Sequence, residues 1–221
     1  MWILADYFNN NIICVLDVKK IYIIRHGETD YNLKGIVQGS GVDTSLNDTG
    51  RRQAKAFFEH YKNVPFTKIY VSALKRTRES VEGFIKQGVP FETYAGLNEI
   101  SWGEKDGKII NTGDHTYYTE MLDAWKRGEV GRSIDGGESP LDVQARQKPV
   151  IDLILSRREE NPILICMHGR AIRILLSTLL HSDLKYMDQF GHHNLCLYRI
   201  TYSGAEFVLD AYNDIRHLQA L

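Results

Sequence analysis

Two uninterrupted apolar runs, Ile21 to Ile24 in KIYIIRHGETD and Ile163 to Met167 in ILICMHG, lead almost directly into His26-Gly27 and His168-Gly169. A short run that is apolar at every position reads as a strand buried on both faces, the kind found in parallel sheets covered by helices. Ile21, Ile23 and Ile24 are β-branched and favour the extended backbone. A chain that buries two such strands must supply helices between them, and the intervening patterns do so.

Asn47 or Asp48 reads as an N-cap before Ala54, Phe57, Phe58 and Tyr61, a buried stripe at helical spacing. A strand over 68–71 leads through Ser72 into a helical pattern that continues over Val81, Phe84 and Ile85 to about Gln87, ended by Gly88 and Pro90. A helix is predicted over 114–127. Ser139-Pro140 with Asp142 opens another that carries Val143, Val150, Leu153 and Ile154 and stops at Asn161-Pro162. A helix over about 170–180 follows the second apolar run, and Ser203-Gly204 joins two alternating runs into a β-hairpin. Residues 31 to 46, with Gly35, Gly39 and Gly41, are predicted to be irregular. Alternating strands and helices argue for one α/β domain over 20–221, with a lid-like insertion around 100–138. Residues 1–19 read as an N-terminal extension of uncertain structure, with an added strand, a homodimer-forming arm and a free terminus all open.

With 221 residues, 43% of them hydrophobic, the chain is long enough for a substantial core. Its net charge of −1 provides no global field for nucleic acid or an anionic membrane, so any anion site must be local. Cys14, Cys166 and Cys196 lie in apolar runs and read as core residues of a reducing compartment. The N-terminus is a poor secretion signal and no run approaches a membrane span, so a cytoplasmic enzyme is expected.

Ligands of open α/β sheets bind at the carboxyl ends of the strands, where His26, His168 and the segment leading to Arg76 would gather. An arginine beside a histidine disfavours the imidazolium, so Arg25 favours a neutral, nucleophilic His26. Gly27 lets a ligand approach the backbone closely. Arg76, near a helix start, suits an oxyanion. Glu99 precedes Ile100 and Trp102, whose bulk would exclude water from a carboxylic acid acting as proton donor. His115, His192 and His193 lack metal-ligand spacing and read as structural or surface residues; no metal and no cofactor are expected.

RHGETDYN at 25–32, SALKRT at 72–77, LNEISWG at 97–103 and HGRAIR at 168–173, in that order, resemble the histidine phosphatase superfamily, the phosphoglycerate mutase-like proteins. The resemblance implies a three-layer α/β/α fold with a mostly parallel central sheet and a C-terminal β-hairpin or edge strand. It makes His26 a phosphorylated nucleophile, Glu99 the proton donor, and Arg25, Arg76 and His168 a phosphate clamp, with Asn32, Gln38 and Gly169 as further phosphate contacts. It implies hydrolysis of a small phosphorylated metabolite, with a phosphoglycerate mutase and a non-catalytic phospholigand-binding protein as alternatives. Two positions depart from the pattern: Arg170 replaces a small residue, and Lys105-Asp106 replaces the aromatic-Glu pair of the phosphatase branch.

Overall fold

The computed structural model describes residues 18–109, 112–219 and 221. Residues 1–17, most of the expected extension, lie outside the described residues. Strand β1 (Lys19–Arg25) takes in Lys19, the last residue of the expected extension, whose ammonium donates to the carbonyls of Ile154 and Arg157.

The elements continue as α1 (Asp30–Leu33), α2 (Asp48–Tyr61), β2 (Lys68–Val71), α3 (Lys75–Ser80), α4 (Glu82–Lys86) and β3 (Phe91–Thr93). After them come α5 (Thr112–Lys126), α6 (Pro140–Ser156), β4 (Ile163–Met167), α7 (Gly169–Leu179), β5 (Leu197–Tyr202) and β6 (Phe207–Asp214), with 3-10 turns that include Leu184–Gln189 and Arg216–Leu218. The six strands form one sheet in the order β3-β2-β4-β1-β5-β6. The first four of these run parallel, while β5 and β6 are antiparallel and close the edge as a hairpin.

Alternation along the strands divides the core. Ile21, Ile23, Ile163, Ile165 and Met167 face α6 and α7, while Tyr22, Ile24, Ile69, Val71 and Cys166 face the layer of α2, α3 and α4. All five residues of β4 are buried, and each large apolar side chain taken from water contributes about 1.5–3 kcal/mol. Cys166 and Cys196 are buried free thiols. The register pairs Arg25 with Met167 and both Ile24 and Val71 with Cys166, so β1, β2 and β4 end at one level. That shared end is where the histidines emerge.

Two local expectations are corrected. The stretch predicted to be irregular holds α1, because Thr29 and Asn32 form a reciprocal capping box in which each side chain accepts from the other's main-chain N–H. The helix expected to continue to Gln87 breaks at Val81 into α3 and α4, where the Ser80 hydroxyl turns back to the Arg76 carbonyl and accepts from the Gly27 amide. Residues 100–138 contribute Ile100, Trp102, Met121, Trp125 and Ile134 to a third cluster, built against Val143, Ile174, Leu184 and Met187.

Candidate active site

His26 follows the last residue of β1, and its amide donates to the Met167 carbonyl. The residue is 2% exposed. Its Nδ1 lies 2.7 Å from the Gly27 carbonyl oxygen, which can only accept, so Nδ1 carries the proton and Nε2 keeps its lone pair. Burial, then Arg76 and Arg25, hold its pKa well below the usual histidine value. Gly27 serves packing against α2: a Cβ there would stand 2.7 Å from the Gly50 carbonyl oxygen, so the close approach expected of a ligand is made by the first turn of α2.

Arg25 ends β1 and donates Nη1 to the His192 carbonyl at 2.6 Å, with His192 Nδ1 3.3 Å away. Its Nε is buried without a partner among the described residues. Arg76 is fully buried: Nη1 donates to Val42 O, Nη2 to Gly39 O and Nε to His168 Nδ1. That last bond makes His168 Nδ1 an acceptor, so Nε2 bears the proton and donates to the Ser72 hydroxyl at 2.8 Å. The His26 and His168 rings are 5.1 Å apart between centroids. His168 is therefore in the site with both ring nitrogens occupied. The helix start beside Arg76 is capped too, since the Lys75 amide donates to Asp43.

Glu99 is held by main-chain donors. Oε1 accepts from Ile100 N and Ala171 N, and Oε2 from Arg170 N, which places the carboxylate on the first turn of α7. Sequence reasoning named the neighbouring bulk of Ile100 and Trp102 and missed these donors. It also missed Arg146 of α6, which forms a two-pronged ion pair with Glu138 and donates to the carbonyls of Gly96, Asn98 and Glu99, fastening the segment that carries the acid.

Asn32 Oδ1 accepts from the Thr29 amide and hydroxyl and from Asn194 Nδ2. Gln38 Oε1 accepts from Thr29 and Thr44, and its Nε2 is buried with no partner among the described residues. Asp106 holds the adjoining loop by accepting from the amides of Gly39 and Gly41, which orients the two carbonyls that grip Arg76. Burial raises the Asp106 pKa against the pull of those two amides.

Arg25, Asn32, Gln38, Glu99, Gly169 and His192 line a cavity of about 260 Å³. Of the expected site residues, Arg25, Asn32, Gln38, Glu99 and Gly169 line it directly, and His26, Arg76 and His168 sit together at the strand ends. His192 forms cavity wall, with its pKa lowered to about 3 by burial, Arg25 and Arg173, so it is neutral at pH 7. It arrives on an irregular segment between α7 and β5 that carries no motif. Among the described residues, no group of three or more His, Cys, Asp and Glu side chains is disposed to hold a metal ion.

The site is rich in cations and neutral imidazoles, and two residues that line the cavity, Arg25 and Gln38, each hold a buried donor, Nε and Nε2, without a partner among the described residues. A buried unpaired donor is costly, and an anion's oxygens would satisfy both.

The buried histidines make stability depend on pH. His26, His168, His192 and His217 all have pKa values lowered by burial from the ordinary 6.5. Below pH 6.5 the unfolded chain therefore binds more protons than the folded one. Their contribution is fully present above about pH 6.5 and is lost as pH falls, through to about 3 for His192. Urea unfolding at about pH 7.5 and pH 5 is expected to show a lower midpoint in acid; equal midpoints would contradict the neutral-histidine assignment.

The fold is that of a phosphoglycerate mutase-like α/β phosphatase: a mycobacterial glucosyl-3-phosphoglycerate phosphatase, solved with VO3, matches with a TM-score of 0.80 and 26% identity, over 89% of this chain and 100% of that one. The family profile of the histidine phosphatase superfamily (branch 1) matches residues 21–215, and the chain belongs to that superfamily. A probable phosphoglycerate mutase of Cronobacter sakazakii is 27% identical over 212 residues, 91% of this chain and 95% of that protein. A probable phosphatase of Schizosaccharomyces pombe is 37% identical over 112 residues, 47% of this chain and 53% of that protein. Among the described residues, no helix is long and apolar enough to cross a membrane.

Proposed function

We propose that the protein hydrolyses small phosphomonoesters through a phosphohistidine formed at His26. The observation that carries this reading is the His26 tautomer: Nδ1 is committed to Gly27, and Nε2 is left unprotonated beside two guanidiniums.

In the first step the Nε2 lone pair attacks phosphorus in line, the ester P–O bond breaks, and its electron pair leaves on the alcohol oxygen. Glu99 supplies that oxygen's proton. Oε1 already accepts two amides and Oε2 only one, so Oε2 is the oxygen with room for it. Arg25 and Gln38 bring their unpaired donors to the equatorial oxygens, and each terminal nitrogen of Arg76 keeps a second N–H beyond its carbonyl partner. His168 fixes Arg76 through Nδ1 and exchanges Ser72 for a phosphoryl oxygen at Nε2 when it joins the clamp. In the second step water attacks phosphorus, its proton passes to Glu99, the P–N bond breaks, and inorganic phosphate leaves with His26 neutral again.

A mutase would use the same first half and return the phosphoryl group to a second alcohol; the whole-length likeness to the Cronobacter protein favours keeping that reading. The test is phosphate release from p-nitrophenyl phosphate and a panel of metabolite phosphates, with and without EDTA, beside isomerisation of 3-phosphoglycerate in the presence of 2,3-bisphosphoglycerate. Chelator-insensitive release is expected. Isomerisation outpacing release would make the protein a mutase, and tight phosphate binding without turnover would make it a binding protein.

A further inference from the structure

Arg170 stands in the first turn of α7, is only 7% exposed, and lines the same cavity as Arg25 and Glu99. Its main-chain N–H serves Glu99, while its side chain goes elsewhere. Nη1 donates to Asp188 in the Leu184–Gln189 turn, and the guanidinium carbon lies 5.4 Å from the centre of the Trp125 ring in α5. The ion pair and the aromatic face together hold the cation in one place.

Asp188 is shared. Arg173 Nη1 reaches the same carboxylate oxygen at 2.7 Å, so two guanidiniums face one carboxylate and a positive charge is left over. Among the described residues, Nε and Nη2 of Arg170 have no hydrogen-bond partner. Neither nitrogen is among the fully buried unpaired atoms, so both stay within reach of water, and a held cation with excess charge and accessible donors is placed to take up an anion. The donors suited to the reacting phosphoryl group come from Arg25, Gln38 and Arg76. Arg170 is instead anchored to α5 and the Leu184–Gln189 turn, and it shares the cavity with Tyr31, Val37, Trp102 and Tyr118, side chains suited to the organic part of a substrate.

We propose that Arg170 binds a second anionic group, carboxylate or phosphate, on the leaving-group side of the ester, so that the preferred substrates are phosphomonoesters bearing a further negative charge. This rests on the phosphomonoesterase reading of the His26 site. It makes Arg170 a specificity residue that leaves the chemical step to others.

Arg170→Met is the informative variant, because methionine keeps an apolar stem against Trp125, the main-chain bond to Glu99 is unchanged, and Arg173 still neutralises Asp188. Wild type and variant are compared on two substrate pairs. 3-Phosphoglycerate against glycerol 3-phosphate exchanges a carboxylate for a hydroxymethyl group, and butane-1,4-diol bisphosphate against 4-hydroxybutyl phosphate exchanges a phosphate for a hydroxyl. In the wild type, the charged member of one pair is expected to lead in kcat/KM by roughly 10- to 100-fold, and the pair that shows this identifies the anion. Arg170→Met is expected to lose that lead mainly through KM while the uncharged member changes by less than about 3-fold. Equal losses on both members, or a wild type that hydrolyses all four compounds without charge preference, would overturn this inference alone. A wild type with no activity above that of His26→Ala on any phosphomonoester would overturn the phosphomonoesterase reading as well.

Discussion

Replacing His26 by alanine is expected to lower phosphate release by at least about four orders of magnitude, the scale seen when a covalent nucleophile is removed. Neighbouring groups are poorly placed to take over. His168 has both ring nitrogens bound, and the Ser72 hydroxyl already serves His168, Thr77 and the Leu74 amide. The fold should survive, because among the described residues the His26 side chain has one hydrogen bond, to the adjoining Gly27 carbonyl, and losing a bond of that kind costs about 1 kcal/mol. Intact-mass measurement after a rapid non-acidic quench with p-nitrophenyl phosphate should find one added phosphoryl group on the wild type and none on His26→Ala. Undiminished turnover in the variant would remove His26 from the mechanism.

Glu99→Ala carries the second large effect, and it should depend on the leaving group. An alkyl alkoxide must be protonated as the P–O bond breaks, so loss of the acid is expected to lower kcat/KM on alkyl phosphates by roughly 10² to 10⁴. A nitrophenolate leaves without a proton, so release from p-nitrophenyl phosphate in the phosphorylation step should fall far less. The variant also leaves the Ile100, Arg170 and Ala171 amides without their acceptor, at about 1–3 kcal/mol for each one that water fails to reach. Its thermal midpoint must therefore be measured beside its kinetics. Equal losses on alkyl and aryl esters would assign Glu99 to holding the α7 start instead of donating a proton.

Much of this architecture was legible in local patterns. The two fully apolar runs became β1 and β4, adjacent and parallel, because burial on both faces of a strand requires such a position. Asn47 and Ser139 cap α2 and α6 as their side-chain chemistry dictates. Failures came where neighbours outvoted local composition: Thr29 and Asn32 built a helical turn in a glycine-rich stretch, and Ser80, serving Gly27, accompanied a break that helical spacing alone did not foretell. Gly27 shows the same limit, since its need for no side chain comes from Gly50, twenty-three positions away.

The histidine phosphatase membership, the strand ends and the candidacy of Arg25, His26, Arg76, Glu99 and His168 as site residues were legible in the sequence itself, because periodicity, caps and the four ordered motifs are properties of short segments. Only the tertiary structure decided which nitrogen of His26 is free, that Ser72 and Arg76 occupy His168, that Arg146 and the α7 amides hold Glu99, and that His192 and Arg170 form cavity wall. Each of these is a contact between residues distant along the chain. Such contacts are set by which donor reaches which acceptor after the layers have packed, and no local pattern of side chains encodes that pairing.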